Sequence, residues 1–372
     1  MSGRDNDSRA ASASGSLYPG LVAFLIVALA AVVIALGRVQ RAAMHGPEPV
    51  RATNAVGDST CISCHRDKAA FEQTAHRLTM RLPTRQAILG DFASESNVLP
   101  TNSPDVHFRM DADSTGFYQT LVVRTGADST SRTERIAYVA GSGRKGQSFL
   151  YWSGDKPFQL PVSYSTRLDA WIGTPSRGGI DPRAIFSRPV APRCWECHAS
   201  WMQSGPNPSA ENEYRPEGAI LGLTCERCHA SGQRHVAHER SLLHHVVRDR
   251  SIVNPARLVR ERKMETCAQC HGGLGDSPDE LGDMHANLVS LLSRSRCFTA
   301  SQMTCTTCHD VHRPQRDVVE LSGRCLTCHQ QQSCKLFATR GSAIVGKCVD
   351  CHMPLRVQGR SHWIRVYPDS GR

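Results

Sequence analysis

Seven times in 372 residues the pattern CxxCH recurs: CISCH (61–65), CWECH (194–198), CERCH (225–229), CAQCH (267–271), CTTCH (305–309), CLTCH (325–329) and CVDCH (348–352). Chance placement of 16 Cys and 17 His over this length gives roughly 0.03 copies, and the pattern is that of c-type haem attachment. In one helical turn, residues three and four apart share a face. Two sulfurs so placed can form thioethers with the two vinyl groups of a haem, and the histidine follows onto its iron. The residues for seven covalently bound c-type haems are therefore Cys61, Cys64 and His65; Cys194, Cys197 and His198; Cys225, Cys228 and His229; Cys267, Cys270 and His271; Cys305, Cys308 and His309; Cys325, Cys328 and His329; and Cys348, Cys351 and His352. The seven histidines are the proximal ligands. Zinc is the rival, because paired CxxC units build zinc ribbons, but zinc does not require a histidine after every second cysteine.

The same spacing limits the fold. Six motifs fall between residues 194 and 352, so little chain separates one from the next. Too little polypeptide remains for an apolar core around each haem. The haems must form the core, wrapped by short helices and loops with almost no sheet. Helical patterns lie at 233–248, 256–265 and 279–296. Between the first and second motifs, VHFRM (106–110), FYQTLVVRT (117–125), RIAYVAG (135–141) and SFLYW (148–152) are rich in β-branched and aromatic residues and separated by turn residues. The fold class expected is a mainly α and irregular multihaem cytochrome c region, with an N-terminal transmembrane helix and a small antiparallel β domain inserted between the first two motifs. The expected segments are a polar tail (1–16), a signal anchor (17–40), a first haem-binding segment (41–100), the β-rich domain (101–165), a linker (166–193) and a six-haem domain (194–365).

The anchor rests on LVAFLIVALAAVVIALG (21–37), seventeen uncharged residues closed by Arg38 and Arg41. They give about 25 Å of helix, at the short end of a membrane span. A cleaved signal peptide is the alternative, but no A-x-A site follows. Basic residues lie on both flanks, so the positive-inside rule hardly decides orientation. Because c-type haem is attached outside the cytoplasmic membrane, the rest of the chain is expected on the periplasmic or extracytoplasmic side. The formal charge of +10 would ordinarily point toward nucleic acid. Two propionates on each of seven haems change it to −4 with ferrous irons and +3 with ferric ones. No nucleic-acid motif accompanies the basic residues, and no nucleic-acid partner is expected.

Ten histidines remain for the sixth iron positions. His76, His235, His285, His312 and His362 each stand near a motif and are the distal candidates. One or two of His238, His244 and His245 are expected to join them, with no choice between the three; His45 and His107 read as bland. His312 lies three residues after His309, on the same side of that haem, and the macrocycle bars it from the opposite face. It must serve another haem, whose iron lies within roughly 20 Å. Paired axial histidines generally hold haem at lower potential than His/Met ligation does. Cys297 and Cys334 stand outside the motifs. In an oxidising compartment a disulfide between them is the leading reading, an axial thiolate the other.

The stretches RIAYVAGSGRKGQSFLYWSGDKPFQLPVSY, RPVAPRCWECHA, CERCHASGQRHVAH, IVNPARL, CAQCH, SRCF, MTCTTCHDVHRP and CVDCHMP resemble the extracytoplasmic multihaem cytochromes c with doubled CxxCH motifs, similar to the tetrahaem cytochrome c of nitrifying bacteria. The resemblance implies electron transport, a proximal-plus-distal pair in CHDxH (His309 and His312), and distal roles for His76, His235 and His285. After CERCH the relatives often read Gly-Pro-Gly where this chain has Ala-Ser-Gly (230–232), which alters the turn that aims His235. The function expected is a membrane-anchored electron relay with redox protein partners, a quinol-side donor or other cytochromes; an oligomer is left open. The alternative is a multihaem oxidoreductase acting on a small nitrogen or sulfur compound at one open haem. Enzymes of that kind often vary one motif, and none is varied here.

Overall fold

The computed structural model describes residues 19–44, 47–93, 95–174, 186–207, 212–241, 246, 248–272, 287–356 and 359–367; within the first helix the described side chains are those of residues 20–34. The polar tail, part of the expected linker, and His45, His244, His245 and His285 lie outside the described residues. Two compact units are present, residues 1–47 with 234–251, and residues 48–233 with 252–372.

The first unit carries helix α1 (Pro19–Met44). Among the described residues no helix is long and apolar enough to cross a membrane. The expected transmembrane anchor over residues 17–40 is therefore corrected. The uncharged run within α1, residues 21–37, covers about 25 Å at 1.5 Å per residue, short of a hydrocarbon core of about 30 Å.

The second unit holds far more sheet than expected. Strands β1 (Met80–Arg81), β2 (Val98–Pro100), β3 (Val106–Ala112), β4 (Phe117–Thr125), β5 (Asp128–Arg135), β6 (Tyr138–Ala140), β7 (Gly146–Ser153), β8 (Lys156–Gln159), β9 (Val162–Ser165), β10 (Ala170–Gly173) and β11 (Arg188–Pro189) form two antiparallel sheets. One runs β2-β3-β4-β5; the other runs β1-β6-β7-β8-β11, with β9 joined to β7 and β10 to β9. Alternation along β3 puts Phe108 and Met110 inside and Arg109 outside, the period-two pattern of a half-buried strand. Gln119, fully buried on β4, ties the two sheets together: its Nε2 donates to Val162 O (2.8 Å) and its Oε1 accepts from Val162 N (3.1 Å).

Strand β7 is buried on both faces. Phe149 and Tyr151 enter a core with Phe108, Met110, Ile136, Val162 and Trp171. Leu150 points the other way, into a cluster with Met80, Tyr138, Val190, Tyr214 and Trp195. Trp195 is the first variable residue of CWECH. The sheet core thus continues into a cofactor motif.

The expectation of almost no sheet after residue 194 is also corrected. Strands β12 (Ala199–Ser204) and β13 (Tyr214–Leu221) form a hairpin directly after CWECH, and β14 (Leu355–Arg356) pairs β15 (Gly359–Arg360) after CVDCH. The physical reason is hydrogen bonding. A macrocycle face can cover apolar surface but cannot pair backbone amides, and buried amides must be paired; short hairpins do this locally.

Candidate functional site

Each motif sits on a short helical turn. These are α2 (Asp58–Cys64), α3 (Pro192–His198), α4 (Cys225–His229), the end of α6 (Arg260–His271), which follows α5 (Gln233–Glu239), α9 (Cys305–Cys308), which follows α7 (Leu288–Ser293) and α8 (Arg296–Thr299), a 3₁₀ turn (Arg324–Thr327), which directly follows α10 (Val318–Gly323), and α12 (Cys348–His352), which follows α11 (Phe337–Arg340). The backbone bonds His65 N to Cys61 O (2.9 Å), His309 N to Cys305 O (2.9 Å) and His329 N to Cys325 O (3.0 Å) hold first cysteine and histidine one turn apart. No motif sulfur belongs to a buried residue, so each is open to a thioether bond. The expected disulfide is corrected: Cys297 and Cys334 are unlinked. Cys297 instead stands near Cys308 and Cys325, and Cys334 near Cys351.

Among the described residues, histidine rings come together in three pairs. His76 faces His271 with ring centres 6.1 Å apart, His229 faces His312 at 6.0 Å, and His309 faces His362 at 6.2 Å. Each pair joins a motif histidine to one outside the motifs. Two imidazoles bound to one metal at about 2 Å, each ring centre about 1.1 Å beyond its nitrogen, would stand about 6.3 Å apart. Ring packing alone also gives centroid separations of 4.5–7 Å, but it has no cause to match a motif histidine with a non-motif one three times.

Local structure explains why His312 leaves His309. Asp310 Oδ1 accepts from His312 N (3.0 Å), and Gln315 Oε1 accepts from Asp310 N (2.7 Å), so the chain turns immediately after the motif. Arg313 closes the turn by pairing with Asp310 and Glu320. The His312 ring then lies between Phe71, at 6.4 Å, and His229.

Several rings have their Nδ1 committed. Nδ1 of His198 donates to Thr79 O (3.0 Å), that of His229 to Val253 O (2.8 Å), that of His352 to Arg365 O (3.1 Å) and that of His362 to Arg360 O (3.2 Å). A carbonyl only accepts, so the proton is on Nδ1 and the lone pair on Nε2. This is the support that metal-ligating histidines ordinarily have. Burial drives the pKa of His76, His198, His309 and His312 down, and that of His362 to about 4.

Two further features fit an anionic macrocycle. Arg81 Nε and Arg227 Nε are buried with no hydrogen-bond partner among the described residues. An unpaired buried guanidinium N–H is costly, and a propionate would satisfy it. Arg227 lies inside CERCH itself.

In the first unit, His235 lies on α5 with Nδ1 2.7 Å from Asp249 Oδ2 and 4.0 Å from Glu239 Oε1; His238 is on the same helix. His107 is on β3, paired across the sheet with Val122 and Pro100. The carbonyls of Thr79, Val253, Arg360 and Arg365 were not legible in the sequence, because any residue can supply a carbonyl. Asp249 left a faint signal as an acid near a candidate histidine.

No family model matches the chain, and no curated protein matches it significantly. The resemblance to the tetrahaem cytochrome of nitrifying bacteria therefore has no support from sequence relatives. The fold is similar to that of a solved outer cell wall cytochrome, OcwA, with a TM-score of 0.51 and 17% identity over 86% of this chain and 81% of that one. The chain has a cytochrome fold.

Proposed function

We propose that the chain is an extracytoplasmic heptahaem c-type cytochrome that relays electrons through closely spaced haems, most of them held between two histidines. The observation that carries this reading is the set of three ring pairs, each uniting a CxxCH histidine with a distant one at a spacing suited to a shared iron. His65, His198, His229, His271, His309, His329 and His352 are the proximal ligands; His76, His312 and His362 are the distal ligands opposite His271, His229 and His309. His235 is a further distal ligand, with Asp249 fixing its tautomer. His285 is proposed on its position before SRCF. The similarity to an outer cell wall cytochrome supports the extracytoplasmic location, where covalent haem attachment takes place.

Haem bound at these residues would supply a one-electron ferric/ferrous couple. The protein's part is to orient and insulate. Carbonyls on Nδ1 lock the rings so that Nε2 points at the metal, and the motif sulfurs fix each macrocycle to its own helical turn. Arg81 and Arg227 neutralise propionates. The partners are redox proteins, because the relay makes and breaks no bond of a substrate.

Purified holoprotein is expected to contain seven haems per chain by pyridine haemochrome assay; three or fewer would end this reading. The oxidised protein is expected to give low-spin EPR signals, and the reduced protein to leave CO unbound. A high-spin haem that takes up CO would instead indicate an oxidoreductase acting on a small nitrogen or sulfur compound.

A further inference from the structure

Where the sheet meets CWECH, one residue touches the motif histidine twice. Thr79 stands immediately before β1, which runs antiparallel to β6 with Met80 opposite Ala140. Its carbonyl accepts from Gly141 N at 2.7 Å, so the sheet fixes its position. The same carbonyl lies 3.0 Å from Nδ1 of His198, and the Thr79 hydroxyl oxygen lies 2.8 Å from that nitrogen. Met80, the next residue and 1% exposed, packs in the cluster that holds Trp195 of CWECH.

Nδ1 of His198 thus has two acceptors, where His229, His352 and His362 have one carbonyl each among the described residues. With Nε2 turned to the iron, the ring's proton is on Nδ1 and is shared in a three-centre bond. The carbonyl divides its lone pairs between Gly141 and the ring. The hydroxyl adds a second acceptor, at the shorter of the two distances.

The backbone behind this contact is clamped. Thr79 N and Leu223 N both donate to His76 O, at 3.3 and 3.1 Å, and Gly222 N donates to His198 O at 3.1 Å. A Cβ on Gly222, whose φ is +72°, would stand 2.2 Å from Arg77 O, so the approach requires glycine. Adjacent amides therefore hold the chain at His76 and at His198. The freedom left to His198 is rotation of its side chain, and the Thr79 oxygens act on that.

We propose that Thr79 is a positioning residue for the haem of CWECH, and that through its hydroxyl the β-rich region lowers the potential of this haem. The proposal rests on the haem reading above and adds a role for the sheet. Acceptors on Nδ1–H draw the proton outward and make the imidazole a stronger donor at Nε2. A stronger donor favours ferric over ferrous iron, and hydrogen bonding around the axial ligands is one of the levers on haem potential.

The test is reductive potentiometry of holoprotein carrying Thr79→Val, followed through the low-spin EPR signals. Valine keeps the shape and the backbone carbonyl, so β1 and the bond from Gly141 remain. One of seven midpoints is expected to rise, by about tenfold in the ferric/ferrous equilibrium, which is about 59 mV for one electron. Thr79→Ser, which keeps the hydroxyl and loses the methyl, is expected to leave all seven where the parent has them. A merely structural Thr79 gives the reverse order, because serine leaves a gap and valine does not. Seven haems by pyridine haemochrome with unmoved midpoints in Thr79→Val, or equal shifts in both variants, would overturn the proposal and leave the haem reading standing. A count of three or fewer in the parent protein would overturn the haem reading itself. Joint Cys194→Ala and Cys197→Ala substitution removes the CWECH haem, and the midpoint raised by Thr79→Val is expected to be the one that disappears. Loss of a different midpoint would show that Thr79 acts on another haem and would end the proposal. If that six-haem protein does not accumulate, the contrast between valine and serine decides alone.

Discussion

Replacing His312 with alanine is expected to change the spectrum and potential of the haem attached more than 80 residues upstream, on Cys225 and Cys228, and to leave the haem on Cys305 and Cys308 as it was. The reason is the pairing: the His312 ring stands 6.0 Å from His229, whereas His309 faces His362. Losing one of two axial imidazoles converts one low-spin iron to high spin. It also moves that potential on the order of 0.1 V, within the wide range that axial ligands command. A double-substitution cycle identifies the haem. In a His229→Ala background His312→Ala adds no further spectral change, while in a His309→Ala background the two changes add. The reverse pattern would show that His312 serves its neighbour in sequence.

The second large effect concerns Glu226, inside CERCH and 2% exposed. Its carboxylate accepts from Val56 N (3.1 Å), Gly57 N (3.1 Å) and Gly232 N (2.8 Å). It binds the approach to CISCH and the segment after CERCH to one point. Glu226→Ala takes this partner from one buried amide, Gly232 N, and two part-buried ones, Val56 N and Gly57 N; at about 1–3 kcal/mol for the buried group and less for the others, the loss is about 2–5 kcal/mol. A protein with bound cofactors need not unfold in two states, so the measurement is amide exchange. Protection at Val56, Gly57 and Gly232 is expected to fall together with the thermal midpoint. Unchanged protection at all three would show that the carboxylate is not what holds them.

Some of the candidate site was legible from residues alone. The spacing of CxxCH names the attachment residues, because a thioether pair and its histidine are a matter of one helical turn. The three-residue step from His309 to His312 likewise excludes a shared iron, since a flat macrocycle stands between. The partner of His312 was not legible. His229 is 83 residues away and His271 is 195 residues from His76, and a pattern of i, i+3 and i+4 says nothing over such lengths. The sheet was under-read for a related reason. The run after CWECH contains Trp201 and Met202 among small and polar residues, with no clean alternation, yet it pairs with residues 214–221 because its amides need partners near a macrocycle that offers none.

By itself the sequence determined where the seven CxxCH motifs lie, which histidine each motif contributes, and that His312 cannot share an iron with His309. These follow from covalent geometry within five to eight consecutive residues. Only the tertiary structure decided which rings face each other, which carbonyls hold their Nδ1 protons, and how the sheet core runs into CWECH. Those are long-range contacts. They depend on how buried carboxylates such as Glu226 and buried amides such as Gln119 find partners across the fold, and no local spacing records that.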